Sequence, residues 1–454
     1  MLSACRAVES CPYYMGYENV PASYGVPFQV LGVNIHEGRP YSAWCVGQNG
    51  VVLGSINPYA WNSCPNGTSI TSDGNHCFGT VYSCPANSTG PDGNHLCACN
   101  IGYTHNAAGT ICISKPCLPD EFGSSCTRNP ASKQAGPTCP AAPNPIALGT
   151  GNKFLSEFDY AGIGQSTPSL IRIYNSAPSN RAKYDLTNQW SLGINRGISL
   201  DDASNPTAAV AVRPDGKALR FTLSGGAWVA DADISDRLTH LKNGATPTGW
   251  RYAVSADSSQ EEYDASGLLL RITAANGQAQ QFSSSDGSGG IQYATTPHVN
   301  GYQAPVCTRP GGFSVPTTAG VLLCVSDAQG RQINLSYDAS NRISQFADPL
   351  GQITQYTFDA NNNLASVTYA GGAVRTYHYE SPAYPNALTG ITDENGARYA
   401  TYVYDSQGRA TAESLYGGAD PSTLVFGTNS TTVTDARGTA RIYTFQTILG
   451  VQKG

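Results

Sequence analysis

A turn glycine that returns about every 21 residues is the feature of this 454-residue sequence that most restricts its fold. The recurring positions in the C-terminal half are Gly330, Gly351, Gly372, Gly396, Gly417 and Gly438. Several of them complete an Asp-x-x-Gly motif, which begins at Asp327, Asp348, Asp393 and Asp435. So short a period holds one supersecondary unit per repeat, and the repeat region shows no helical period.

Aromatic pairs follow most of these glycines, and an aspartate often follows the pair. The pairs are Tyr356/Phe358, Tyr377/Tyr379, Tyr402/Tyr404 and Tyr443/Phe445, with Leu335/Tyr337 as a variant. The aromatic-Asp signature stands at Tyr263-Asp264, Tyr337-Asp338, Phe358-Asp359 and Tyr404-Asp405. Side chains at i and i+2 of a strand share a face, and an aspartate there closes a turn by accepting from the backbone two residues on. The repeat therefore predicts hairpins of two short strands that pair edge to edge into one long sheet.

These repeats resemble the YD repeats of the Rhs family. The segments Pro143–Gly162, Arg172–Ser176, Gln189–Gly193 and Arg213–Phe221 also look like the lead-in that precedes the repeats in bacterial Rhs proteins. The resemblance implies part of a β-ribbon that curls into a hollow shell around a C-terminal toxin or tip domain. Asp348-Pro349 only superficially resembles the self-cleaving aspartyl motif of that family, and we expect no protease function there.

Cysteines divide the chain, since all but Cys307 and Cys324 of the 14 precede residue 140. This density is typical of small disulfide-stapled domains, and no C-x-x-C pair supports zinc. The disulfide candidates, whose connectivity stays open, are Cys64, Cys77, Cys84, Cys97, Cys99, Cys112, Cys307 and Cys324.

Disulfides predict an extracellular or cell-surface location. The first 20 residues lack the apolar run of a signal peptide, so we expect Met1 to be an internal start.

A short duplication lies within the Cys-rich region. Cys64–Cys77 is echoed by Cys84–Cys97, and each copy holds Asp-Gly-Asn-His. The spacing of Cys97–Cys112 resembles the C-terminal half of an EGF-like module. His76 and His95, each near a cysteine, could be metal ligands, but duplication of a polar loop explains the two histidines more simply.

Composition excludes several classes of function. A net charge of −6 argues against a nucleic-acid partner, and no apolar run is long enough to span a membrane. Only 13% charged residues with 40% hydrophobic ones argue against disorder. Adjacent strand residues point to opposite faces, which argues against a catalytic carboxylate pair at Asp201-Asp202. A solvated acidic loop explains Asp231, Asp233 and Asp236 better than a calcium site does. The sequence predicts no enzyme, cofactor or metal site.

The predicted architecture is all-β, with a small disulfide-rich N-terminal region followed by antiparallel hairpin repeats of a curled ribbon. The expected parts are an unassigned region at 1–60, a Cys-rich, EGF-like region at 61–139, a lead-in at 140–260, and truncated repeats at 261–454. The expected function is that of a structural fragment of a secreted or surface Rhs-type protein, whose partners are the rest of the shell and a toxin. An adhesin that binds a cell-surface protein or glycan through its Cys-rich region is the alternative, and a secreted hydrolase is a weaker third.

Overall fold

The computed structural model divides the chain into two compact units, Met1–Pro116 and Cys117–Gly454. In the first unit it describes only ten strands, as backbone. In the second it describes residues 117–122, 126–137, 140–142, 144–164, 167–177, 186–187, 189–292 and 306–454. The division places residues 117–139, which the sequence groups with the Cys-rich region, in the unit of the repeats. Asp120 explains this placement, because its carboxylate pairs with Arg220 at 2.7 Å.

The described strands of the first unit pair in antiparallel fashion. A four-stranded meander consists of β1 (Phe28–Val30), β2 (Val33–Arg39), β3 (Ser42–Val46) and β4 (Val52–Ile56). Three hairpins follow: β5 (Ser69–Ile70) with β6 (Cys77–Phe78), β7 (Ser88–Thr89) with β8 (Ala98–Cys99), and β9 (Tyr103–His105) with β10 (Cys112–Ser114). The first copy of the sequence duplication spans β5 and the start of β6, and the second copy spans β7 and ends just before β8. Cys64, Cys84, Cys97, His76 and His95 lie outside the described residues, as do the side chains of Cys77, Cys99 and Cys112.

Two small sheets, which we call the lead-in strands, precede the repeat sheet in the second unit. A short hairpin of β11 (Glu121–Phe122) and β12 (Thr127–Arg128) and a 3₁₀ turn at Pro130–Gln134 precede them. One lead-in sheet holds β13 (Phe154–Tyr160), β14 (Leu170–Asn175) and β15 (Trp190–Leu192). The other holds β16 (Gly197–Leu200), β17 (Ala208–Val212), β18 (Ala218–Ser224) and β19 (Ala227–Ala230).

An 18-stranded antiparallel sheet, the repeat sheet, makes up most of the rest. Its first half holds β20 (Arg237–Asn243), β21 (Thr246–Ala253), β22 (Gln260–Tyr263), β23 (Leu269–Thr273), β24 (Ala279–Ser285), β25 (Ile291–Gln292), β26 (Leu322–Asp327), β27 (Gln332–Tyr337) and β28 (Ile343–Ala347). Its second half holds β29 (Ile353–Phe358), β30 (Leu364–Thr368), β31 (Val374–His378), β32 (Gly390–Thr392), β33 (Arg398–Tyr404), β34 (Ala410–Leu415), β35 (Ala419–Gly427), β36 (Ser430–Thr434) and β37 (Ala440–Thr444). A separate hairpin of β38 (Gln446–Ile448) and β39 (Val451–Lys453) follows, and a 3₁₀ turn lies at Tyr416–Gly418.

The strands of the repeat sheet follow one another in chain order, as the edge-to-edge hairpins of the sequence predict. The all-β fold class is thereby confirmed. The sheet begins at Arg237, within the residues that the sequence assigns to the lead-in, because β20 and β21 pair in register although they lack the aromatic-Asp signature. Among the residues described, no helix has the length and apolar character needed to cross a lipid bilayer.

One turn design joins most strands of the repeat sheet. In the turn after β33, the Asp405 carboxylate accepts from the amides of Gln407 at 2.9 Å and Arg409 at 3.0 Å. Gly408 in that turn has φ +75°, a conformation that glycine adopts without steric penalty. The same pair of bonds to residues i+2 and i+4 recurs at Asp264, Asp286, Asp327, Asp338, Asp348, Asp359, Asp393 and Asp435. The aromatic-Asp motif and the Asp-x-x-Gly motif therefore form the same kind of turn. The two motifs close successive turns, which lie at opposite ends of the strand between them.

The aromatic pairs face one side of the repeat sheet, which we call the aromatic face, and the lead-in strands cover it. Trp190 and Tyr174 of the lead-in pack in one continuous core with Tyr356, Tyr377 and Tyr402. The second aromatic of a pair also serves as a polar anchor. The hydroxyl donates to a main-chain carbonyl about 15 residues earlier: Tyr337 to Leu322 at 2.6 Å, Tyr379 to Leu364 at 3.0 Å, and Tyr404 to Leu388 at 2.9 Å.

Loss of one turn carboxylate tests this turn design. We expect Asp405→Ala to lower the free energy of unfolding by about 1–2 kcal/mol, because two turn amides lose their acceptor. Urea unfolding followed by circular dichroism measures the change. Gln407→Ala, at an exposed position of the same turn, is the matched control and should lie within about 0.5 kcal/mol of the wild type. Equal losses in the two variants would contradict the role of the carboxylate.

Candidate functional site

A row of buried polar contacts joins the lead-in to the repeat sheet; we call it the polar seam and treat it as the candidate site. On the lead-in side, Glu157 and Asp159 are two residues apart on β13 and point to the same face. On the other side stand the first tyrosines of successive aromatic pairs. Tyr356 donates to the Asp159 carboxylate at 2.6 Å, and Tyr377 donates to the Glu157 carboxylate.

Lys153, just before β13, extends this row. Its ammonium lies 4.2 Å from the centroid of the Tyr402 ring, the corresponding tyrosine of the next repeat. The lead-in residues 153, 157 and 159 thus meet the tyrosines 402, 377 and 356 in reverse order of sequence. The segment from Lys153 to Asp159 therefore crosses three successive repeats, and each repeat meets a different charged residue of that segment.

Arg172 is the centre of the polar seam and is fully buried. Its Nε lies 2.8 and 2.6 Å from the two oxygens of Asp159, and its Nη1 lies 3.1 Å from Glu157. The same guanidinium donates to the hydroxyls of Tyr377 and Tyr369. A buried charge is tolerated only where partners of this kind compensate for lost hydration.

The electrostatics of the polar seam favour one protonation state. Burial alone would lower the pKa of Arg172, but Tyr377, Asp159 and Glu157 raise it well above its ordinary value. Burial and the adjacent carboxylates raise the pKa of the Tyr356 and Tyr377 hydroxyls well above the usual range. The tyrosines therefore stay protonated as donors. These contacts tie the lead-in strand β13 and its neighbour β14 to the repeat sheet and so act as a clamp between two parts of the chain.

A second buried charge, Glu261 of β22, joins the repeat sheet to the other lead-in sheet. Arg213 bonds its two carboxylate oxygens at 2.6 and 2.7 Å, and Arg196 pairs with it as well. Tyr263, a residue of the predicted repeat signature, donates to the same carboxylate. Although burial opposes ionisation, the two arginines lower the pKa of Glu261 to about 2.

The predicted signature residues occupy two separate places. The aspartates Asp264, Asp338, Asp359 and Asp405 lie in their own turns and are not brought together. Tyr263 belongs to the continuous core beneath the lead-in, and Tyr337, Phe358 and Tyr404 are partly buried and pack against that core.

Two disulfides lie in the described part of the chain. Cys307 and Cys324 are joined, with their Cα atoms 6.2 Å apart, in a small core of their own with Leu323. Cys117 and Cys126 are also joined, at 5.0 Å, although the sequence does not single out that pair. The short separation of nine residues between the two cysteines is the sequence signal that could have identified this disulfide.

The acidic groups weighed in the sequence have structural partners. Asp231 and Asp233 each lie 2.8 Å from the ammonium of Lys133. Asp236 accepts from Ser255 at 2.8 Å. Within the described ranges of the chain, no cluster of His, Cys, Asp or Glu could hold a metal ion.

Sequence reasoning missed the charged residues of the polar seam. Arg172 sits inside the apolar strand LIRIYN, and Glu157 and Asp159 sit inside FLSEFDY. Isolated charges inside apolar strands were the signal that could have identified them.

Comparison with known families identifies two parts of the chain. Residues 337–376 match the family model described as RHS Repeat. Residues 143–221 match a model described as a domain of unknown function, DUF6531, and these residues include most lead-in strands. Among curated proteins, none matches the chain.

Solved structures of Tc toxin components are similar to part of the chain. A crystal structure of TcdB2-TccC3-TEV aligns at 13% identity and a TM-score of 0.22, over 61% of this chain and 16% of that one. A crystal structure of TcdB2-TccC3 aligns at 13% identity and a TM-score of 0.21, over 61% and 16%. A Photorhabdus luminescens Tc holotoxin pore aligns at 12% identity and a TM-score of 0.13, over 62% and 23%. The chain thus spans less than a quarter of the length of each.

Removal of the central arginine tests the polar seam. We expect Arg172→Met to lower the free energy of unfolding by about 3–5 kcal/mol, because the buried carboxylate of Asp159 loses its counter-ion and Glu157 keeps only Arg375. Chemical denaturation measures the loss. Arg441→Met is the matched control, since its ion pair with Asp435 is mostly exposed and should contribute at most about 1 kcal/mol. A loss in Arg172→Met no larger than in the control would show that the polar seam does not hold the lead-in.

Acid sensitivity tests the second buried charge. The pKa of Glu261 is depressed in the folded state, so its stabilisation is present above about pH 4.5 and is lost as the pH falls toward 2. Between pH 5 and 3 we expect Glu261→Gln to lose about 2 kcal/mol less unfolding free energy than the wild type. Gln260→Ala, a neutral change at an exposed position of the same strand, is the matched control and should keep the pH dependence of the wild type. Parallel curves for wild type and Glu261→Gln would contradict the prediction.

Proposed function

The chain is an Rhs (YD) repeat protein, and on that premise we propose that it is a non-enzymatic structural component of a larger β-shell. The observation that carries this proposal is the enclosed contact between the lead-in strands and the aromatic face. The charged groups of that contact are buried and paired with one another, which suits a scaffold and not a site that turns over a substrate. The chain would then act by its shape and by the strands that it joins.

An unpaired sheet edge supports the presence of further shell strands. Within the described residues β37 pairs on one side only, with β36. Ile442 of β37 is 72% exposed, on the face opposite the aromatic face, and Val425 two strands away is 68% exposed. Unpaired edges with apolar side chains promote pairing with another strand. We infer that additional repeats of the shell add to β37, and that the completed shell encloses a toxin or tip domain.

The location and partners belong to the same proposal. The Cys117–Cys126 and Cys307–Cys324 disulfides support an oxidising environment, and hence a secreted or cell-surface protein. The aromatic face of the described sheet is already occupied by the lead-in. Any enclosed toxin would therefore lie against the further repeats and not against this part.

An immunoblot of the native source tests the proposed function. With antibody against residues 140–454, applied to cells and medium separately, we expect a dominant band far above 47.7 kDa. A dominant band near 47.7 kDa in the medium would overturn the shell proposal. It would favour the adhesin alternative, which a glycan array with residues 1–140 would then test.

Self-association of the purified chain tests the free edge. We expect full-length chain to form oligomers that grow with concentration in analytical ultracentrifugation, and Ile442→Lys to shift it toward monomer, because a charge on an edge strand opposes pairing. Val374→Lys is the matched control, an apolar residue 41% exposed on the interior strand β31, and should leave association unchanged. A monodisperse monomer at all concentrations would contradict an adhesive edge at β37.

A further inference from the structure

Residues 144–153 form a hairpin loop that lies on the last strands of the repeat sheet; we call it the strap. Ile146 and Leu148 of the strap occupy a small core separate from the continuous core of the rest of the lead-in. The residues that they cover on β34–β36, and just beyond β37, are Ala410, Leu424, Val433 and Phe445. The strap thus covers the end of the sheet nearest the free edge.

Few polar contacts tie the strap to these strands. Among the residues described, two hydrogen bonds reach across. The Ala410 amide donates to the Gly151 carbonyl at 2.8 Å, and the Thr431 hydroxyl donates to the Leu148 carbonyl at 2.6 Å. Asn144 and Gly151, with φ of +51° and +72°, stand near the two ends of the loop. Lys153, whose ammonium lies against Tyr402, is the one residue of the polar seam that the strap contains. The strap can therefore leave the sheet while Glu157, Asp159 and Arg172 stay in place.

Two buried charges, one on the strap and one on the sheet, lie where the strap contacts the sheet, and they form no ion pair with each other. Lys153 is fully buried and donates to the Asn144 carbonyl of the strap itself. Glu413 of β34 is also buried; one of its oxygens accepts from Ser422 at 2.9 Å, and the other is enclosed with no partner. A buried carboxylate oxygen without a donor destabilises the closed arrangement.

The surroundings of this pair supply little compensation. Tyr402 of β33 lies beside both charges, opposite Glu413 across the strands. Beyond Tyr402 stand Glu157 of β13, Arg375 of β31 and Tyr399 of β33, which act on that tyrosine. Burial raises the pKa of Glu413 and lowers the pKa of Lys153, and the attraction between the two opposes these shifts only in part.

We propose that the strap is a detachable cover over β34–β37, which opens most readily near neutral pH and closes more tightly as the pH falls. Opening would expose the apolar residues of this end of the sheet while the rest of the lead-in stays docked. The proposal goes beyond the structural role of the chain, and it stands whether or not a shell encloses a toxin.

The direction of the effect follows from proton binding. In the open state both side chains are hydrated and titrate in their ordinary ranges, about 4.3 for Glu and about 10.4 for Lys. The closed state keeps the proton of Glu413 to a higher pH, so closure weakens as the pH rises above about 4.3. The closed state releases the proton of Lys153 at a lower pH, so closure strengthens again as the pH rises toward about 10.4. Closure is therefore weakest between these ranges.

Hydrogen–deuterium exchange of the full chain, corrected for intrinsic exchange rates, tests the proposal. From pH 5 to pH 7 we expect the protection of peptides covering 144–153 and 410–413 to fall about tenfold or more, since each unit of pKa difference changes the opening equilibrium tenfold. In Glu413→Gln this fall should disappear. Glu380→Gln, which alters an exposed carboxylate of the same sheet, is the matched control and should keep it. A wild-type profile that is flat, or a fall that survives in Glu413→Gln, would overturn the proposal.

Lys153→Met provides an independent variant should Glu413→Gln fail to fold, which circular dichroism would show. Between pH 8 and 10 we expect protection of the strap to recover in the wild type and not in Lys153→Met. Recovery in both proteins would refute the part assigned to Lys153. Peptides of β14, which belong to the docked lead-in, should show neither change, and a parallel change there would mean global unfolding in place of strap opening.

Discussion

Burial of the aromatic face is the constraint on which the rest of the structure depends. Every hairpin places large side chains on one side of the sheet, and a single hairpin cannot cover them. Pairing of hairpins edge to edge satisfies the backbone but leaves that face open to water. The lead-in strands supply the missing layer, and Trp190 and Tyr174 join the tyrosines of the repeats in one core. The repeats and the lead-in therefore depend on each other, because each buries apolar surface of the other.

Apolar packing of this kind has little preference for one position over another along a repetitive surface. Tyrosines that recur with nearly constant spacing would accept the lead-in in several registers. The polar seam removes this ambiguity, because Asp159, Glu157 and Lys153 each meet a different repeat. Buried ion pairs contribute little net stability, but misplacing them leaves a charge without a partner. The polar residues thus select the register, and the aromatic residues supply most of the free energy.

The repeating half was predictable from the sequence because its signals are local. The period, the aromatic pairs and the turn aspartates each act within a few residues, so hairpins and their edge-to-edge order could be inferred. The polar seam was not predictable, because Arg172 and Tyr377 are 205 residues apart and no feature of either segment indicates that the two side chains are in contact. The same holds for Glu413, which looks like an ordinary strand residue until the strap covers it. Local sequence signals therefore predict the sheet, whereas the polar seam depends on contacts between distant segments, which those signals do not reveal.

The sequential strand order also has a mechanical consequence. Apart from the short β25, each strand of the repeat sheet pairs within that sheet only with its neighbours along the chain. A pulling force applied at the β37 end would break the sheet one strand at a time, as a zipper opens, instead of shearing many bonds at once. The apolar contacts of the strap would resist first, over β36–β34, and resistance would rise further when the pull reached β33 and β31, where Tyr402 and Tyr377 meet the lead-in. The sheet would thus yield from one end and stiffen at a defined point along its length.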